Sequence, residues 1–239
     1  MYILQLPLSI LLVLLFASKG LAGPISVQTF GLVQGIDQEV IIENVNTVYA
    51  IGIVGVGLTY DVSDDTSVVM RIGKGTADQS GVNYDGDFRE FSLVQYLKQA
   101  PEHSVFVELT RHTTDVFAQR VVFSPSNPTL TDFVNNTFTS TDILIGANFQ
   151  IFKYLKVSLA GGAAIWHMES EVQDQLMLGR YRVTTHREVD TKSTDGILRL
   201  GVHATTKHSA LNIQATLRSL KSKASQDISG IELNYTYNF

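Results

Sequence analysis

The sequence predicts an all-β fold: a closed antiparallel transmembrane barrel of ten strands. Three observations carry this. Apolar and polar residues alternate with period two along most of the chain, and helical spacing is almost absent. Short and long connections between the alternating segments succeed one another strictly, as periplasmic turns and longer extracellular loops do in membrane barrels. Charged residues are only 17% of the chain, against about 25% in soluble domains, and they fall mainly in the connections. An eight-stranded barrel is the alternative, and it would demote two of the segments below.

Residues 1–18 carry no charge, and 8–17 form an apolar core of the length found in export signals. Gly20-Leu21-Ala22 places small residues at −3 and −1, which predicts cleavage after Ala22 and a single domain over 23–239. The competing reading is an uncleaved anchor, since the run is borderline for spanning and Lys19 lies on its far side. Segment 25–36 alternates poorly. It counts as a strand because a chain with both ends in the periplasm needs an even number.

Four hairpins follow. Segments 48–60 and 66–75 meet through 61–65; Val68, Met70 and Ile72 alternate with Ser67, Val69 and Arg71. Segments 87–98 and 104–113 meet through 99–103; Val105, Val107 and Leu109 alternate with Phe106, Glu108 and Thr110. Segments 142–152 and 155–167 meet through Lys153-Tyr154, with Ile143, Ile145, Ala147, Phe149 and Ile151 on one face. Segments 196–205 and 210–220 meet near 206–209, and 228–239 closes the set with Ile231, Leu233, Tyr235, Tyr237 and Phe239 on one face. The remaining connections, 37–47, 76–86, 114–141, 168–195 and 221–227, are the long outer ones. Within them 116–123 and 176–186 look strand-like and read as hairpins that continue the wall above the membrane.

A soluble sandwich would alternate too. The face opposite the apolar one mixes small and polar residues, however, as a packed polar lumen requires. Tyr60, Tyr96, Phe152, Tyr154 and Phe239 lie near the inner turns, and Phe88 and Trp166 near the outer ones, as interfacial girdles would.

Composition excludes several chemistries. With no Cys there is no disulfide, Cys-based zinc site or thiol catalysis. A formal charge of −5 without a basic cluster argues against nucleic acid as a partner. His103, His112, His167, His186, His203 and His208 show no metal-ligand spacing on one strand face, so they read as structural or solvated. No glycine-rich loop opens a helix and no nucleophile elbow occurs. The sequence gives no sign of an enzyme, a cofactor or a bound metal.

The inward face collects Arg71, Glu90, Glu108, Lys156, Arg199, His203, Arg218 and Glu232, three acids against four fixed cations. Burying one such charge unpaired would cost several kcal/mol, on the order of the loss from breaking a buried pair. These residues therefore predict an ion-pair and hydrogen-bond network. It either plugs the barrel, the preferred reading, or lines a narrow channel whose selectivity it sets.

The ending Gly230-Ile231-Glu232-Leu233-Asn234-Tyr235-Thr236-Tyr237-Asn238-Phe239 resembles the last strand of bacterial outer-membrane β-barrel proteins. Stretches 58–73 and 145–162 are similar to periplasmic hairpins of small barrels of the outer-membrane-protein-A and opacity type. The resemblance implies a location in the outer membrane of a Gram-negative bacterium. It also implies that Tyr235, Tyr237 and Phe239 are read by the barrel assembly machinery. Outer-membrane lipid and lipopolysaccharide are the implied surroundings, and a host or surface ligand could meet the outer loops at 114–141 and 168–195. The expected role is structural or surface-interacting, with a small-solute, porin-like channel as the alternative. Asp85-Gly86-Asp87 resembles the rim acids of the omptin outer-membrane proteases, but their Asp-x-His is missing, and His167-Met168-Glu169 is a loose stand-in. A turn is the simpler reading of Asp85 to Asp87.

Overall fold

The computed structural model describes residues 25–40, 45–79, 82–100, 102–124, 127–178, 181–206, 208–219 and 230–238. The export signal predicted at 1–22 and the terminal Phe239 lie outside them. The described chain forms ten strands: β1 (Ile25–Val40), β2 (Val45–Ser63), β3 (Thr66–Gln79), β4 (Val82–Gln99), β5 (His103–Ser124), β6 (Asn127–Phe152), β7 (Leu155–Leu178), β8 (Tyr181–Thr205), β9 (Ser209–Ser219) and β10 (Gly230–Asn238). Each pairs antiparallel with its neighbour in sequence. β1 pairs with β10 in the register Ser26 to Asn238 through Gln34 to Gly230, which closes the barrel. Closure leaves no sheet edge, the condition for placing backbone amides in lipid.

Period-two alternation sets the two surfaces. Outward lie Val54 and Val56 on β2, Met70 and Ile72 on β3, Leu109 on β5, Ile143 and Ile145 on β6, Leu198 and Leu200 on β8, Leu211 and Ile213 on β9, and Ile231 and Leu233 on β10, all exposed. Such a belt on a closed barrel is stable only against another apolar phase. On β6 it runs from Ile143 to Ile151, about 27 Å of strand and roughly 20 Å of height at the usual barrel tilt. Phe152 and Tyr154 border it at the inner turn, where the Lys153 ammonium sits 5.1 Å from the Tyr154 ring centroid.

Segment 25–36, weakly patterned in sequence, is a full strand. Its outward face is thin, yet Phe30 is buried and anchors it from inside. The outer connections also stand differently from their sequence pattern. Most of 114–141 and 168–195 continues β5 to β8, which reach 22, 26, 24 and 25 residues, while the described parts of β9 and β10 have 11 and 9. The strand character of 116–123 and 176–186 belongs to this raised wall. Above the bilayer a strand no longer needs an apolar outer face, so the pattern that marks its membrane part disappears there.

Phe88, Trp166 and Tyr96 depart from the girdle expected of them. Phe88 and Trp166 are buried in the lumen, and Tyr96 packs edge-on against Phe106 at 6.2 Å. The reason is parity: Phe88 and Tyr96 lie an even number of residues from Glu90, and all share its face.

Candidate functional site: the barrel lumen

The lumen is filled in three tiers. In the upper tier a row of inward rings links β1, β4, β5, β6 and β7. Phe30 meets Phe88 edge-on with centroids 5.6 Å apart, His112 stacks on Phe88 at 6.1 Å and tilts against Phe138 at 5.7 Å, and Phe138 meets Trp166 at 6.1 Å. Ile51, Ile53, Val116 and Met168 close around the rings. Phe30 and Phe88 belong to β1 and β4, with two strands between them. They touch because the intervening positions in the register are Gly55 and Gly73. A Cβ on Gly55 would stand 2.6 Å from the Phe30 ring, and one on Gly73 3.1 Å from it. Trp166 donates its indole N–H to Asp195.

The middle tier is ionic. Arg71 Nη1 lies 2.7 Å from Glu232 Oε1 and 3.3 Å from Glu90 Oε1, and its Nε donates to Gln28 Oε1 at 3.2 Å. Arg199 Nη1 lies 2.5 Å from Glu108 Oε1, which also accepts from Thr110 Oγ1 at 2.7 Å. Arg218 pairs with Asp142 at 2.6 Å and donates to Ser140 Oγ at 2.8 Å. The two tiers are joined by cation–π contacts: the Arg71 guanidinium carbon is 5.6 Å from the Phe30 centroid and that of Arg218 is 5.8 Å from Phe138. Beside them a cavity of about 60 Å³ lies between Gln34, His112, Arg199, Gln214 and Glu232, room for a few water molecules. The lower tier is a small apolar cluster of Phe106, Leu144, Ala160, Ala164 and Ile197.

Of the eight residues proposed from sequence, Arg71, Glu90 and Glu232 form one group and Glu108 and Arg199 a second. Arg218 joins a third through Asp142. Lys156 and His203 stand apart, facing each other across β7 and β8 toward the inner end. His203 shares a 2.9 Å hydrogen bond with Ser158, and Lys156 makes no ion pair among the described residues. Sequence reasoning missed Asp142, Asp195, His112 and the ring row. Asp142 opens segment 142–152 and Asp195 immediately precedes segment 196–205, and they share parity with Leu144 and Ile197, the signal that could have found them. They also change the charge balance: around Arg71, Arg199 and Arg218 stand five carboxylates, not three.

Asp85 and Asp87 lie within β4, not in a turn, and face outward. Asp87 pairs with Lys74 at 2.5 Å. His167 and Glu169 also face outward, 3.3 Å apart. These four do not converge across the mouth, so the omptin-like arrangement is not assembled from them. Among the described residues no group of three or more His, Asp or Glu side chains is placed to hold a metal.

No family model and no curated protein sequence matches the chain. Solved structures do. The translocator domain of autotransporter NalP from Neisseria meningitidis matches with a TM-score of 0.54 at 12% identity, covering 98% of this chain and 95% of that one. The chain has the fold of bacterial outer-membrane β-barrels. Looser matches are the attachment invasion locus protein Ail of Yersinia pestis (TM-score 0.40, 10% identity, 91% of this chain and 99% of that one) and the outer membrane protease OmpT of Escherichia coli (TM-score 0.44, 9% identity, 90% and 97%). A barrel shared at 12% identity gives the fold and does not select the role.

Proposed function

We propose that the protein is an outer-membrane barrel with a closed lumen, acting as a structural and surface-interaction protein through the raised β5–β8 wall. The observation that carries this is the ring row from Phe30 to Trp166 lying on the paired guanidinium groups of Arg71 and Arg218. Buried, paired charges and interlocked rings stiffen a scaffold, and rigid scaffolds present recognition surfaces well. Export through the signal at 1–22 and recognition of Tyr235, Tyr237 and Phe239 by the assembly machinery complete the reading. Tyr235 and Tyr237 face outward on β10, where a partner strand or lipid would meet them.

Single-channel recording of the refolded protein in a planar bilayer tests it, after heat-modifiable gel migration has shown a folded barrel. The expected result is no steady conductance. Discrete openings would sink the closed-lumen reading. The second reading, a small-solute channel, is favoured by the polar arc of Gln28, Asn212, Gln214, Thr216 and Asn234. In that case neutralising Arg71, Arg199 or Arg218 should change ion selectivity.

A further inference from the structure

We propose that the outer face of β5–β8, directly above the apolar belt, binds the phosphorylated saccharide headgroup of a glycolipid from the outer leaflet. This rests on the reading of β5–β8 as the outward wall and names one partner for it.

The outer face of this wall carries a cavity of about 630 Å³, open to the outside. Its floor is a file of threonines on β6, Thr137, Thr139 and Thr141, and its sides are long residues on the neighbouring strands: Arg111 on β5, His167 and Glu169 on β7, and Lys192 on β8. The trough exists because short side chains occupy three successive outward positions between longer ones. The same β6 face continues downward as Ile143 and Ile145, which are 48% and 60% exposed in the belt. From Thr141 to Ile143 is one pleat, about 7 Å. A ligand in the trough therefore sits directly over lipid chains. An amphiphile whose chains pack on Ile143 and Ile145 brings its headgroup there with no further constraint.

The charges select the headgroup. His167 Nε2 lies 2.8 Å from Asp190 and 3.3 Å from Glu169, and Lys192 lies 3.4 Å from Asp190. Those groups satisfy one another. Arg111 is exposed and has no ion-pair partner among the described residues, so one guanidinium fork is available to a phosphate. Thr137 donates to Asp115 at 2.9 Å, and Thr113 and Thr139 share a 3.3 Å hydrogen bond. Each hydroxyl keeps a further donor or acceptor position for sugar hydroxyls. With Arg111 the one cation of the trough unpaired among the described residues, and carboxylates at Glu169 and Asp190 higher on β7 and β8, the wall favours one phosphate on a sugar over a polyanionic chain.

The test uses the full chain expressed in a Gram-negative host and extracted in mild detergent. Retained lipopolysaccharide is quantified by native mass spectrometry. The wild-type protein should retain it, Arg111→Gln should retain roughly tenfold less, and Thr139→Val with Thr141→Val should also lose it. Lys98→Gln, exposed at the inner end, should behave as wild type. Heat-modifiable migration shows that each variant is folded. Equal retention by folded Arg111→Gln would overturn the proposal. So would equal binding of dephosphorylated lipid, or binding of the deacylated phosphosaccharide as tight as that of the lipid, which would make this a soluble-saccharide site. Protease cleavage of the raised wall on intact cells separates the two readings. Cleavage with unchanged Arg111→Gln retention removes the lipid site alone, whereas protection from outside removes the outward orientation with it.

Discussion

Among the described residues, the tall arc β5–β8 and the shorter arc β9, β10 and β1 close one barrel with different interiors. The tall arc sends Phe106, His112, Phe138, Leu144 and Trp166 inward and packs them tightly. Apart from Phe30 at the end of the ring row, the short arc sends mainly polar residues inward, Gln28, Gln34, Asn212, Gln214, Thr216 and Asn234, and both Asn212 Oδ1 and Asn234 Oδ1 are buried without a hydrogen-bond partner among the described residues. Interlocked rings lose contacts abruptly when one is removed, whereas a partly satisfied polar surface rearranges at smaller cost. The tall arc is thus the stiff side and also the side that rises above the belt. Mechanical rigidity and exposure to the surroundings are placed on the same strands.

The largest expected effect breaks the stiff side. Trp166→Ala or Phe138→Ala removes a buried ring and should cost about 3–5 kcal/mol, read from urea unfolding in lipid vesicles. Gln214→Ala on the short arc should cost no more than about 1 kcal/mol. Equal losses would abolish the distinction between the arcs.

Next come the ion pairs. Asp142→Asn leaves Arg218, 7% exposed, without its carboxylate. The cost should approach ~3–5 kcal/mol. Glu232→Gln should cost less, about 1–2 kcal/mol, because Arg71 keeps Glu90 at 3.3 Å. A reversed order in the same unfolding experiment would mean that the two guanidinium groups are not held as their distances indicate.

Deleting 120–131 at the top of the β5–β6 hairpin should leave the unfolding midpoint unchanged, since the rings and ion pairs lie below it. Any ligand contacted by that tip should be lost. A drop in stability equal to that of Trp166→Ala would show that the raised wall supports the lumen.

The smallest effect is a titration. Desolvation pushes the Asp190 carboxyl up, but hydrogen bonds from His167 and Lys192, with their charges, outweigh it and hold the carboxyl below the ordinary Asp value. A depressed carboxylate contributes stability above the unfolded Asp value, near pH 4, and loses it as pH falls through the folded value. His167→Ala should move the Asp190 titration, followed by NMR, back toward its ordinary position. No movement would show that the 2.8 Å contact is not populated in solution.

Much of the barrel was legible in the sequence. Ile143 to Ile151 and Ile231 to Tyr237 announce their lipid face because every second residue must be apolar there. The four inner turns were legible for the same reason: alternation stops at them and resumes. Strand β1 was nearly invisible, because its main anchor, Phe30, points inward. The heights of β5 to β8 were hidden because polar strands above a bilayer carry no apolar mark.

The lumen divides in the same way. The sequence alone determined which residues face inward, since parity along each strand is a local property. It did not determine partners. Arg71 and Glu232 are 161 residues apart, and Phe30 reaches Phe88 only across Gly55 and Gly73. The first meeting depends on the stagger with which β1 joins β10 and the second on the registers of β1 to β4, and closure holds these staggers together. Local alternation chose the faces, and closing the barrel chose who meets across them.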